Sequence, residues 1–279
     1  MPTFPAPHPV PVVVDVPFAN LQVVAGERDD VVVTVLPTTS KPGSVRAAEE
    51  VRVDRDGDAV TITYPGSWKQ FVLPFASGTA NITVEVPAGS RLRGKTGSLY
   101  AEGPLDAVDM TLSAGNVRVG DVDRLDLKVA AGSVAAGRIT GTLDVRVSAG
   151  SVVVDEIAGS GTIRASNGTT TVGVVTGSLE VQGAHADIAV SRVRGTVTAK
   201  SAHAGIRVTS LESGAVTLTS SYGSIEVGVP EGTAAYLDVS SENGTVRNLL
   251  TPTEGPVDDE ATAEIHASTG YGDVVVRRP

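Results

Sequence analysis

The sequence predicts an all-β protein: a parallel β-solenoid (β-helix) with two-strand rungs of about 18 residues and an irregular, strand-rich N-terminal cap. Three observations predict it. First, glycine followed by a small polar residue recurs every nine residues. The series is Gly132-Ser133, Gly141-Thr142, Gly150-Ser151, Gly159-Ser160, Gly168-Thr169 and Gly177-Ser178; Ala186-Asp187 keeps the interval and Gly195-Thr196 restores the glycine. Second, apolar and polar residues alternate between these points, the period-two pattern of a strand with one buried face. Third, equivalent residues recur at 18 rather than 9. Alternate strands therefore differ systematically, which a coil with two strands per turn explains and a run of hairpins does not. No single rung of such a coil buries its own apolar face, so the stack is stable only collectively.

Taken in order, residues 1–92 form the cap and the start of the coil. Strands are predicted at 11–16, 21–24, 31–36, 59–64 and 81–86, with a turn at Asp56-Gly57-Asp58 and one helical turn within 44–50. Trp68, Phe71 and Phe75 fit a bulky plug over the open end of a core. Residues 93–279 form the repeat body, continuous with the cap as one domain. The rhythm begins at Gly97-Ser98-Leu99. In the first half of each unit the apolar places are Val134, Ala136 and Ile139, then Val152, Val154 and Ile157, then Ile188, Val190 and Val193, then Ile206, Val208 and Leu211. The second half gives Leu143, Val145 and Val147, then Leu179 and Val181, then Val197 and Ala199. Val and Ile dominate, as a pleated, half-buried surface prefers. The beat slips by one residue near Ser213-Gly214, resumes at Gly223-Ser224-Ile225 and recurs at Gly244-Thr245-Val246. Residues 251–262, with two prolines and Asp258-Asp259-Glu260, read as a surface loop; the pattern closes on Gly272, Asp273, Val274, Val275 and Val276.

Composition narrows the function. The 279 residues carry a net charge of −10, which disfavours a general nucleic-acid binder. The absence of cysteine excludes disulfides, thiol catalysis and cysteine-metal sites. No apolar run approaches a membrane span, so no membrane insertion is expected. The first residues lack a basic start and an apolar core, which points to a cytoplasmic location with no signal peptide.

Four groups of residues are candidate sites. Lys128, Arg146, Arg164, Gln182 and Lys200 lie 18 apart and form one column of mostly cationic tips, a candidate interaction face for an anionic polymer or a partner. The neighbouring column is Asp126, Asp144, Thr162, Glu180 and Thr198, and its acids favour a neutralised, solvated face instead. Ala135, Val153, Thr171 and Ala189, flanked by Ser133, Ser151 and Thr169, make a flat, weakly polar face suited either to packing or to solvent. His185 and His203 are 18 apart and head a corner column that also holds Asn167 and Tyr222. They are weak candidates for a zinc or nickel site, because no third ligand accompanies them. Calcium is not expected, since the Gly-rich corners carry Ser or Thr rather than a regular Asp. Asp155 and Glu156 are the only adjacent acids within the regular rungs ahead of Gly159, and no nucleophile-elbow or His-Glu-x-x-His pattern occurs. The expectation is therefore no enzyme, no catalytic residues and no cofactor.

The chain resembles the uncharacterised bacterial β-strand-repeat family labelled "putative adhesin", of the actinobacterial type. The resemblance covers nearly the whole chain. It is carried by Val12-Val13-Val14-Asp15-Val16, Val45-Arg46-Ala47-Ala48-Glu49-Glu50, Val86-Pro87-Ala88-Gly89-Ser90, Ser201-Ala202-His203-Ala204-Gly205, the run from Glu231 through Tyr236 to Val239, and the closing Tyr271-Gly272-Asp273 with Arg277-Arg278. The resemblance implies a β-solenoid of unknown biochemical role and supplies no catalytic residues. The functional expectation is a non-enzymatic interaction or scaffold protein acting through its solenoid surfaces, with an unknown protein partner or copies of itself. The alternatives are a surface adhesin for glycan or matrix, and a polymer-acting β-helix enzyme.

Overall fold

The structure is a computed structural model that describes residues 2–65, 78–251 and 261–279. Trp68, Phe71 and Phe75 of the expected plug, and most of the expected loop at 251–262, lie outside the described residues. The fold is all-β, with one helix among the described residues. The chain divides into two compact units, Met1–Ala136 and Gly137–Pro279.

Unit 1 contains β1 (Thr3–Pro5), β2 (Pro11–Gly26), β3 (Asp30–Pro37), α1 (Pro42–Glu50), β4 (Arg52–Asp56), β5 (Ala59–Thr63), β6 (Ala80–Pro87), β7 (Arg91–Glu102), β8 (Leu105–Ala114), β9 (Val117–Val119) and the first part of β10 (Val122–Ile157). The expected strands 11–16 and 21–24 are one bent strand. Its inward positions run Val12, Val14, Val16 and then Ala19, Leu21, Val23, and the register shifts at the bend. β2 pairs in parallel with β7, β7 with β8 and β9, and these with β10. On the other side of β2 lie β5 and β6, also parallel. They come later in sequence than β2 but stack outside it. β4 then covers β5, and β3 covers β6, both antiparallel; β1 pairs with β3. The expected helical turn is a nine-residue helix whose Pro42 occupies the first turn, where the missing N–H costs nothing.

Unit 2 holds the rest of β10, then β11 (Ser160–Val175), β12 (Ser178–Val193), β13 (Thr196–Ser201), β14 (Ile206–Leu211), β15 (Gly214–Ser220), β16 (Ile225–Gly228), β17 (Thr233–Ser241), β18 (Val246–Asn248), β19 (Ala261–Thr269) and β20 (Val274–Arg277). Pairing is parallel and in register at the repeat: Val145 faces Ile163, which faces Val181, and Val154 faces Val172, which faces Val190. The spacing lengthens by one where β13 meets β15, as at Val197 and Val216, the slip expected near Gly214. Like residues thus sit above like and bury together. Val145, Ile163, Val181, Val154, Val172 and Val190 are at most 1% exposed, and burying such a side chain is worth about 1.5–3 kcal/mol.

The corners explain the glycines. A Cβ on Gly159 would lie 1.9 Å from the carbonyl oxygen of Gly141, and one on Gly168 would lie 1.7 Å from that of Gly150. Gly168 also has φ of 123°, which L side chains rarely adopt. Ala186 follows Gly168 in this column. Its methyl is accommodated beside Gly183, a position held by Val147 and Ala165 on the preceding rungs. Inside the core, Thr170 stands between Val152 and Ile188, fully buried, and its hydroxyl has no hydrogen-bond partner.

The order of the last rungs departs from sequence order. β15 and β16 pair with β19 and β20, as at Val216–Ile265 and Ile225–Val274. β17 and β18 pair with the opposite side of the same two strands, as at Leu237–Ile265 and Val246–Val274. The chain therefore lays down residues 233–248 as the outermost rung and returns to fill the space beneath.

Candidate functional site

The most organised surface feature of unit 2 is a corner column of rings. His185, His203 and Tyr222 stack as the repeat predicts, and Tyr271 extends the column. Successive centroids are 4.7, 5.0 and 5.1 Å apart, with interplanar angles of 11°, 10° and 7°. Asparagines bracket the rings. Asn167, paired with His185, donates Nδ2 to the Ser148 carbonyl at 3.2 Å, and Asn243 donates Nδ2 to that of Gly270 at 3.2 Å. Tyr222 and Tyr271 remain 58% and 53% exposed, so the rings stack on one another while their edges face solvent.

An inner column of hydroxyls holds this corner. Ser201, Ser220, Thr269 and Ser241 are register partners. Ser201 Oγ accepts from the Ala204 amide at 3.1 Å and Ser220 Oγ from the Gly223 amide at 2.8 Å. Thr269 Oγ1 donates to the Gly223 carbonyl at 2.9 Å and Ser241 Oγ to that of Gly272 at 2.8 Å. These bonds satisfy backbone groups that the turn withdraws from the ladders. They fix the turns from which His203, Tyr222 and Tyr271 project; on the strand that carries His185 the equivalent position is Gly183. Beside the two tyrosines lies an open groove lined by Thr219, Ser221, Ser240, Glu242 and Ser268.

His185 and His203, the weak metal candidates, stand as neighbours in the column, their rings nearly parallel with centroids 4.7 Å apart. No cluster of three or more His, Cys, Asp or Glu able to hold a metal occurs among the described residues.

The cationic column is partnered. In unit 1, Lys128 lies 3.9 Å from Asp126. In unit 2, Arg146 bonds Asp144 at 2.6 Å, Arg164 lies 3.8 Å from the same carboxylate, and Gln182 bonds Glu180 at 2.7 Å. Lys200 has no ion pair among the described residues. Half-exposed pairs of this kind contribute little to stability, and they cancel most of the charge an anionic polymer would meet. Asp155 is exposed, and Glu156 lies 3.5 Å from Arg138. On the flat face, Val153 is 41% exposed, Thr171 is exposed and Ala189 half-buried.

His266 was not singled out by its sequence context. It bridges Glu264 (2.7 Å) and Asp238 (3.2 Å), tying β19 to β17. Its pKa is raised above the ordinary imidazole value, chiefly by the hydrogen bond to Glu264 and then by that to Asp238.

No helix among the described residues is long and apolar enough to cross a membrane. No curated protein matches the chain. Among solved structures, it is similar to a protein described as a putative adhesin from Bacteroides fragilis, with 11% identity, a TM-score of 0.37, and coverage of 100% of this chain and 95% of that one. Another so described, from Parabacteroides merdae, has 12% identity, a TM-score of 0.32 and the same coverage. A third, from Parabacteroides distasonis, has 12% identity, a TM-score of 0.30, and coverage of 98% and 95%. The Toastrack DUF4097 family model matches residues 12–277, nearly the whole chain, and the protein belongs to that family.

Proposed function

We propose that this chain is a non-enzymatic interaction or scaffold protein, a parallel β-solenoid whose surfaces bind a macromolecular partner. The ladder of His185, His203, Tyr222 and Tyr271 carries the reading. It is a preorganised row of ring edges backed by a hydroxyl column, so little side-chain entropy is lost when a partner docks. Aromatic side chains supply much of the energy of such contacts. The hydroxyl-lined groove beside Tyr222 and Tyr271 adds hydrogen-bonding groups along the same surface. The neutralised cations of unit 2, Arg146 and Arg164, make a second, weaker face, and Lys200 is its free end.

A surface-adhesin role, for glycan or matrix, uses the same ladder outside the cell. A scaffold role uses it in the cytoplasm. Cell fractionation separates the two. The test of the ladder is binding of the purified chain to panels of matrix proteins, glycans and candidate protein partners, with wild type and the Tyr222→Ser/Tyr271→Ser variant side by side. Wild type is expected to bind a component that the variant binds about tenfold more weakly or worse. Equal binding by both chains, or none by wild type, contradicts the proposal.

A further inference from the structure

The outermost rung of unit 2 ends in an edge that the described residues leave open. Among the described residues, β17 pairs only with β19, and β18 only with β20. The inward positions of β17 show the consequence: Ala235, Leu237 and Val239 are half-buried, whereas their register partners Ala263, Ile265 and Ala267 are at most 4% exposed. Val246 and Leu249 are 41% and 64% exposed.

Proteins usually blunt such edges with short strands, prolines or charges. Unit 1 uses these devices. β5 is covered by β4, which carries Arg52, Asp54, Arg55 and Asp56 in five residues, and β3 is flanked by the three-residue β1 with its Pro5. β17 uses almost none. Its nine residues, Thr233–Ser241, contain no proline, no lysine and a single charge, Asp238.

We infer that β17 is an association edge and that its occupant is β17 of a second copy, paired antiparallel about a two-fold axis at Leu237. The outer strands of unit 1 also leave one side unpaired, but β4 carries four charges in five residues and β1 is three residues long with Pro5, so the edge that matches β17 in length and apolar character is β17 itself. A contact of one surface with its own copy closes as a dimer rather than growing into a filament. Leu237 is the middle residue of the nine, and an axis there uses the full strand. It sets Ala235 opposite Val239 of the second copy on the apolar side. On the outer side, Tyr236 lies opposite Asp238 of the second copy, so a phenol meets each carboxylate and the two acids do not face each other. Any register displaced by one residue would bring apolar positions against outward ones. This inference is independent of the ring ladder, which is built from other side chains.

Light scattering after size-exclusion chromatography of the full chain, over a concentration series, tests it. The monomer is 28.4 kDa, and a species of twice that mass is expected to rise with concentration. Ala235→Lys/Leu237→Lys should remain monomeric with an unchanged circular dichroism spectrum, because lysines at half-buried positions carry their charges out to solvent. Leu237→Cys keeps the test decisive should the double variant misfold. The chain has no other cysteine, and directly opposed strand positions lie within disulfide reach. Under oxidation this variant should cross-link into a dimer, while Val153→Cys on the flat face should not. A wild-type monomer at every concentration overturns the inference. So does a dimer that survives the lysine substitutions, or one that cross-links through Val153→Cys but not Leu237→Cys.

Discussion

The outermost parallel strands of the two units meet different fates. In unit 1, β5 and β6 sit outside β2 and are covered in turn by antiparallel β4 and β3, and Val60, Ile62, Ile82 and Val84 are at most 1% exposed. In unit 2, β17 and β18 also sit outside strands that neighbour them out of sequence order, yet Leu237 and Val239 stay half-buried. The same alternating pattern builds both rungs. What differs is the strand laid against them, which shows that the apolar pattern specifies which side of a strand faces inward while the cover decides how much that side contributes. A rung that no other described strand covers is held mainly by its ladder to one neighbour.

The largest effects should come from the interior of unit 2. Val190→Asp places a carboxylate where exposure is 1% and only apolar neighbours stack above and below, so a loss of about 4 kcal/mol or more is expected in denaturant unfolding. Leu237→Asp, on the open rung, should cost about 1 kcal/mol or less at concentrations where the chain is monomeric, because the charge then reaches water. Equal losses at the two positions would erase the contrast between covered and open rungs. Gly159→Ala comes next. Its methyl would collide with the Gly141 carbonyl, and separating two rungs there should cost roughly 2–4 kcal/mol. Gly26→Ala, with nothing within 4 Å of the new methyl, should be close to neutral.

Thr170→Val sharpens the account in the other direction. It removes a buried hydroxyl that has no partner while keeping the shape, and should raise stability by about 1 kcal/mol. Arg146→Ala should change stability by less than about 0.5 kcal/mol, since its pair with Asp144 is half exposed. The bridge at His266 gives the open rung a pH dependence. The folded protein holds this proton more tightly than the unfolded chain, whose imidazole titrates near 6.5. Its contribution is fully present below that value and is lost as pH rises through the higher folded value. Protection of β17 amides, corrected for intrinsic exchange, should fall over that window in wild type. In His266→Gln it should not change there.

Much of this was legible in the residues. The 18-residue register, the inward Val and Ile columns, the one-residue slip near Gly214 and the His185–His203–Tyr222 stack all follow from spacing. Tyr271 did not, because 49 residues separate it from Tyr222. The available signal was local: Tyr222-Gly223-Ser224-Ile225, Asn243-Gly244-Thr245-Val246 and Tyr271-Gly272-Asp273-Val274 share one corner pattern. That pattern identifies equivalent corners but does not rank the rungs in space. Their order depends on which strand edges remain open after β16, a tertiary matter. The covering of β5 and β6 was equally hidden, since antiparallel and parallel neighbours place the same demands on an alternating strand. The hydroxyl column of Ser201, Ser220, Thr269 and Ser241 was hidden for another reason, because Ser and Thr occur at most corners of this chain.

Hydrogen–deuterium exchange of the full chain over a dilution series tests the central contrast most directly. At low concentration, β17 amides should exchange orders of magnitude faster than those of β6 and of β11–β12, and raising the concentration should slow β17 alone. Protection of β17 equal to that of β6 and independent of concentration would contradict the account.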